Sequence, residues 1–160
     1  MPESQNLPET TLAYIRKGGS TLMLHRTKKK QDVNEGKWIG VGGKLEEGET
    51  PEACMKREIY EETGLIPTAF KYRGIVDFAS GDFKERRHLY TVDAFEGSEH
   101  ACDEGDLKWV RDDQILSLPG WEGDRYFLQK IYGGADCAFF HMSLVYDGDR
   151  LQSVIDIATK

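Results

Sequence analysis

Hydrophobic positions alternate in short runs along most of this chain. Leu12 to Ile15 and Thr21 to His25 read as two strands joined by a turn at Gly18-Gly19. Phe70 to Ala79 and His88 to Phe95 are again strand-like. Val76 and Phe78 share one face of the first, and Tyr90, Val92 and Ala94 share one face of the second. Ser80-Gly81-Asp82 marks the turn between them, and Pro67 is expected to end any helical continuation ahead of them. Leu107 to Val110 reads as a short strand. Cys137 to Tyr146 and Arg150 to Ile157 read as two more, around an Asp147-Gly148-Asp149 turn, with Phe140, Met142, Leu144 and Tyr146 alternating on one face. The period changes in two places. Asp112 to Leu118 predicts a short helix stopped by Pro119-Gly120. Glu122 to Tyr132 predicts a longer one, with Phe127, Leu128 and Ile131 at helical spacing and Gly133 at its end. Residues 1 to 8, Asp32 to Lys37 and Gly97 to Gly105 are polar and read as irregular.

The segment from Gly40 to Leu65 fits none of these strand patterns. Gly40-Val41-Gly42-Gly43 is a glycine-rich loop that lets backbone approach a ligand closely. It feeds a helix with clear ends: Thr50 as N-cap, Pro51 at N1, Glu49 and Glu52 near the positive end of the dipole, and Gly64 as the left-handed stop. Seven of the seventeen residues from Glu46 to Glu62 are Glu. Glu58, Glu61 and Glu62 stand at i, i+3 and i+4, within about 100° of arc and about one 5.4 Å turn. Like charges at this spacing repel, so a helix does not gather them for its own stability. A cation is expected among them, and carboxylate oxygens suit Mg²⁺.

Composition narrows the classes. A length of 160 residues suits a single domain, 1–160, with a real core, and no repeat, linker or low-complexity tract divides it. A net charge of −7 argues against binding a nucleic-acid polymer through its phosphates. It does not exclude a small anionic substrate, because a bound divalent cation reverses the local sign. Cys54, Cys102 and Cys137 make neither a disulfide framework nor a zinc pattern, and they point to free thiols in a reducing cytoplasm. No apolar run reaches the ~18 residues of a membrane span, and the N-terminus carries no signal-peptide pattern. His25, His88, His100 and His141 form no local cluster.

Gly43, Glu49, Arg57-Glu58-Ile59, Glu61-Glu62 and Gly64-Leu65, at their spacing, match every fixed position of the Nudix box. The chain resembles the Nudix hydrolases, which cleave nucleoside diphosphates linked to another group. The resemblance implies an α/β/α sandwich, a mixed sheet between helices, with the box as loop–helix–loop. It implies Mg²⁺, with Mn²⁺ as the substitute. The implied metal ligands are Glu58, Glu61, Glu62 and the Gly42 carbonyl, with Glu49 and Arg57 orienting them. Arg57 and Glu61 at i, i+4 are spaced to form a charge-assisted pair. The resemblance also implies an extra carboxylate, Glu104, in the loop before the Trp109 strand, as ligand or base.

Gly36-Lys37-Trp38, Gly40, Gly42-Gly43-Lys44, the Trp109 strand and Trp121-Glu122-Gly123-Asp124 look like the MutT-type subgroup that hydrolyses oxidised purine nucleoside triphosphates such as 8-oxo-dGTP. There the tryptophan at Trp121 stacks on the base and the acid at Asp124 bonds its edge. Gly43 and Lys44 are implied to bind substrate. The basic run Arg26 to Lys30 is either a solvated loop or, in such an enzyme, a flank of the substrate phosphates, with Arg26 best placed because it closes a strand. Two positions depart from the human enzyme of that subgroup: Ile39 replaces an asparagine, and Gly123-Asp124 replaces paired aspartates. Other members of the family act on ADP-ribose, dinucleoside polyphosphates or capped RNA. A silent binding domain would have lost box glutamates. An isoprenoid diphosphate isomerase would need a catalytic Cys with metal-binding His, and Cys54 and Cys102 show no such setting. The expected partner is a small-molecule nucleotide, neither a membrane nor a polymer; the oligomeric state is open.

Overall fold

The computed structural model describes residues 7–27, 36–102, 105–132 and 138–157. Eight strands form one mixed sheet: β1 (Glu9–Lys17), β2 (Ser20–His25), β3 (Trp38–Ile39), β4 (Leu65–Ser80), β5 (Phe83–Gly97), β6 (Asp106–Arg111), β7 (Phe140–Asp147) and β8 (Arg150–Asp156). The order is β3-β2-β1-β5-β4-β7-β8, with β6 also laid along β2. β1 runs parallel to β5, and β4 parallel to β7; the other pairs are antiparallel. Two α-helices complete the fold, α1 (Pro51–Thr63) and α2 (Asp124–Tyr132).

Alternation along the strands gives the sheet two apolar faces, which is what a sheet between helices requires. On β1, Ala13 and Ile15 join Met55 and Ile59 of α1. Leu12 and Tyr14 point the other way, into the cluster that holds Phe127, Leu128 and Ile131 of α2. The expected face of Phe140, Met142, Leu144 and Tyr146 is buried on the α2 side. So the acidic helix and the second helix lie on opposite faces of one sheet. Each fully buried Leu, Ile, Met or Phe here contributes about 1.5–3 kcal/mol.

Several strands run longer than their sequence pattern, β5 from Phe83 rather than His88, and three other departures stand out. β4 begins at Leu65, directly after α1, and runs through Pro67; Gly64 in the left-handed region has already turned the chain out of the helix. The proline's missing N–H is absorbed where the β4–β5 register slips between Pro67 and Ala69. Asp112–Ser117 is a 3₁₀ helix rather than an α-helix. Cys102, within the loop expected to be exposed, is buried and bridges to Gly105. The anticipated lead-in up to Asn6, the basic residues 28–30, Gly133 and Cys137 lie outside the described residues. No helix among the described residues is long and apolar enough to cross a membrane.

Candidate active site

Helix α1 is set by local chemistry. The Thr50 hydroxyl accepts from the Ala53 N–H at 3.1 Å, and Gly64 closes the helix at φ 83° with its N–H donating to the Tyr60 carbonyl. Met55 and Ile59 turn one face into the core. The neighbouring face carries the three glutamates at graded depth. Glu62 is buried, the Glu58 side chain is nearly so, and Glu61 reaches solvent.

Arg57 organises this face. Its Nε and Nη2 donate to the two oxygens of Glu49 at 2.8 and 3.0 Å, a bidentate clamp. Its Nη1 donates to Glu58 at 2.7 Å, and its Nη2 to the Lys44 carbonyl at 3.1 Å. The bond to Arg57, with help from the Glu46 N–H, holds Glu49 down at a pKa of about 2; Glu49 in turn raises the guanidinium above its already high value. The i, i+4 pair to Glu61 exists only at 3.4 Å. The planar fork is committed to Glu49 in the preceding loop, so Glu61 receives its edge.

The glycine loop abuts the same carboxylates. The Thr11 N–H donates to the Gly43 carbonyl at 2.9 Å, which fixes the loop along β1. A Cβ on Gly43 would stand 2.4 Å from a Glu58 oxygen; one on Gly42 would stand 1.9 Å from the Thr11 carbonyl. The Cys54 thiol donates to the Gly43 carbonyl at 3.5 Å, and burial pushes its pKa up to about 11, so it is no nucleophile. Three carboxylates beside close-packed backbone are hard oxygen donors of the kind that fit a divalent cation. Among the described residues no three acidic, His or Cys side chains yet converge on one point. Arg57 occupies the charge between them.

Glu104 lies outside the described residues. Its loop is anchored nearby: the His100 N–H donates to the Thr63 carbonyl at 2.8 Å, at the last turn of α1. Glu99 of the same loop accepts from the Trp109 indole at 3.0 Å and is an acid the sequence did not single out. Arg26 closes β2 and is buried, its N–H donating to the Lys37 carbonyl at 3.0 Å; Lys44 is exposed beside α1.

Trp121 and Asp124 sit on the other face of the sheet. They border a narrow cavity of about 80 Å³ lined also by Tyr14, Trp38, Ile115 and Leu118. That is well below the roughly 300 Å³ of a ligand pocket, so a whole nucleoside needs this region to open. Trp121 is only 3% exposed, edge-on to Phe78 and Tyr146, with the Lys37 ammonium 4.4 Å above its ring. A base that stacks on Trp121 must displace Lys37. Asp124 is buried at the start of α2, and its Oδ1 has no hydrogen-bond partner among the described residues. Burial drives its pKa up to about 7, while Arg87 and Lys37 pull it back. Lys37 stood in the Gly36-Lys37-Trp38 motif without a role, and Arg87 was not singled out; one Arg of a pair in a strand carries no signal until the sheet places it. Of the histidines, His25 stacks flat on Trp38 at 4.5 Å, His88 bonds Tyr72 and Glu9, and His141 bonds Asp77.

The NUDIX domain family matches residues 7–131. The chain is 34% identical over 101 residues to the oxidized purine nucleoside triphosphate hydrolase of Mus musculus, covering 62% of this chain and 65% of that protein. It is 32% identical over 116 residues to the protein of the same name in Danio rerio, covering 71% and 72%. Thus it spans just under two thirds of the mouse relative. The fold is similar to the crystal structure of a mutator MutT protein from Bacillus halodurans (TM-score 0.82, 24% identity, 94% of this chain and 97% of that one). It is also similar to the MutT protein of Methanosarcina mazei (TM-score 0.65, 26% identity, 77% and 91%).

Proposed function

This chain belongs to the Nudix hydrolase family, and we propose that it hydrolyses a purine nucleoside triphosphate, favouring an oxidised base, to the monophosphate and pyrophosphate. The observation that carries the reading is the complete acidic face of α1, with Glu58 against Gly43 and Arg57 clamped to Glu49. The names of the mouse and zebrafish relatives, oxidized purine nucleoside triphosphate hydrolases, support the substrate class.

Glu58, Glu61 and Glu62, the Gly42 carbonyl and Glu104 would hold Mg²⁺, or Mn²⁺ in its place, which when bound supplies positive charge to the triphosphate oxygens. Arg57 limits the repulsion among the glutamates and fixes the direction of Glu58. One carboxylate of this face accepts the proton of the attacking water. Lys44 and Arg26 add positive charge on the phosphate side. On the opposite face Asp124 offers an acceptor to the base edge and Trp121 an aromatic surface.

The test is a panel of dGTP, 8-oxo-dGTP, 2-hydroxy-dATP, ADP-ribose and diadenosine polyphosphates, with products identified by phosphorus NMR. An oxidised purine triphosphate is expected to give the highest kcat/KM. Glu62→Gln is expected to lower turnover at least about a hundredfold, the scale of a lost ligand or base, and chelation to abolish it. A tenfold advantage for ADP-ribose or a dinucleotide would refute the substrate class but leave the hydrolase reading standing. Near-normal turnover in Glu62→Gln, or in excess chelator, would remove the metal-dependent role proposed for the acidic face of α1.

A further inference from the structure

A pocket of about 520 Å³ lies on the α1 side of the sheet, past the end of the acidic helix. Its volume falls within the roughly 300–1,000 Å³ of ligand pockets, as the cavity at Trp121 does not. Leu65, the first residue after Gly64, lines it and is buried. Phe95 near the end of β5 and Trp109 of β6 form an aromatic wall, their rings 6.1 Å apart and inclined by 25°. Both rings are only half-buried. The two ends of the wall carry opposite charge. The Lys17 ammonium lies 5.8 Å from the centre of the Phe95 ring and has no carboxylate partner among the described residues. At the other end Glu99 accepts from the Trp109 indole through Oε2, and its Oε1 receives no hydrogen bond from the described residues. Ser20 adds a hydroxyl. No step of the proposed hydrolysis uses these side chains.

We propose that this pocket is a second nucleotide site, which takes guanosine monophosphate (GMP): the base stacks on Phe95 and Trp109, its edge donates to Glu99, and its phosphate pairs with Lys17. Each demand follows from the wall. Exposed aromatic faces hold a planar base by stacking, which accepts every base and so does not choose among them. The choice falls to Glu99. A carboxylate accepts hydrogen bonds and donates none, and guanine alone among the common bases sets two N–H donors, N1–H and the 2-amino group, side by side on one edge. Adenine would bring its N1 lone pair against the carboxylate instead. The chain as a whole, at a net charge of −7, repels anions, so Lys17 supplies the local attraction for a phosphate. The inference stands on its own residues. None of them belongs to the acidic face of α1 or to the region of Trp121 and Asp124, and the site does not depend on what α1 hydrolyses.

The test is titration of GMP, guanosine and AMP into the whole chain with chelator present, followed by NMR at the Trp109 indole N–H, a signal assigned with Trp109→Phe. This signal should move and saturate with GMP, at a Kd that Trp121→Ala leaves unchanged. Glu99→Gln keeps an acceptor for the Trp109 indole and removes the charge; it should raise the Kd for GMP about tenfold, the scale of one charge-assisted hydrogen bond. Lys17→Met should weaken GMP to the level of guanosine and leave guanosine itself unchanged. AMP should bind at least about tenfold more weakly than GMP. Lys17 and Glu99 are both exposed, so neither substitution disturbs the core. A Trp109 signal that stays still up to about 10 mM GMP would overturn the inference. So would a Kd that weakens with Trp121→Ala, equal affinity for AMP and GMP, or a Kd for GMP that neither Glu99→Gln nor Lys17→Met changes. Failure to hydrolyse any purine triphosphate would instead overturn the proposed function and leave this site standing, because no turnover enters the titration.

Discussion

Asp124 and Glu49 are both carboxylates, and their surroundings push them in opposite directions. Arg57 holds Glu49 down to about 2, so its contribution to stability is present above its unfolded pKa and lost as the pH falls toward 2. Burial lifts Asp124 to about 7, far above the ~3.9 of an unfolded aspartate. The folded state therefore binds this proton more tightly than the unfolded chain does. Below about pH 4 the group is protonated in both states and costs nothing. Between about 4 and 7 the cost grows, and above 7 it is constant. Asp124→Asn should therefore stabilise the protein by something on the order of 1–4 kcal/mol at pH 8 and leave it unchanged below pH 4. Urea unfolding at both pH values measures this; an Asn variant less stable at pH 8 would mean the carboxylate is favourably held. A residue that costs stability is one kept for function.

At the scale of elements, the site depends on how closely the glycine loop lies against β1 and α1. Gly42 and Gly43 are neighbours in sequence and have different tolerances. A methyl group on Gly42 would meet the Thr11 carbonyl at 1.9 Å, backbone against backbone, and must part the loop from β1. The three atoms nearest a methyl group on Gly43 all belong to the Glu58 carboxylate, the end of a flexible side chain that can move by giving up its 2.7 Å bond from Arg57. Gly42→Ala should lose several kcal/mol, lowering Tm by about 10 °C. Gly43→Ala should keep Tm within a few degrees yet lower kcat, since Glu58 is displaced. Equal Tm losses in the two would contradict this division. Helix α1 was legible because its signals are local: Thr50, Pro51 and Gly64 each act within a turn. The start of β4 was not, because Pro67 reads as a break, and only the slipped register with β5 shows how a strand accommodates it. The Lys37–Trp121–Phe78–Arg87 row was hidden for a stronger reason. Its members are spread over more than 80 residues, and the sheet order, not spacing along the chain, brings them together.

Across the whole molecule, one sheet separates two tasks. The Met55–Ile59 face of α1 packs over Ala13, Ile15 and Val92, whereas Trp121 and α2 pack over Leu12, Tyr14 and Phe78 on the reverse side. On the proposed reading a nucleotide has its phosphates at α1 and its base near Asp124, and the Gly40–Lys44 loop that leads to α1 is bonded to β1 through Ala13 and Val41. This layout predicts how kinetic losses combine. Changes at the acidic face remove an interaction made in the transition state and should lower kcat. Changes at Asp124 remove an interaction made equally with bound substrate and should raise KM. Substitutions with no shared contacts add within about 0.5 kcal/mol, whereas members of one network do not. Glu62→Gln combined with Asp124→Asn should therefore lose kcat/KM by the product of the single losses. Glu58→Gln combined with Arg57→Lys, within one hydrogen-bonded cluster, should lose far less than the product. Steady-state kinetics of the four single and two double variants with 8-oxo-dGTP decides it. A coupling above about 1 kcal/mol between Glu62 and Asp124 would mean the two faces act as one site, with the glycine loop transmitting strain across the sheet rather than merely bounding it.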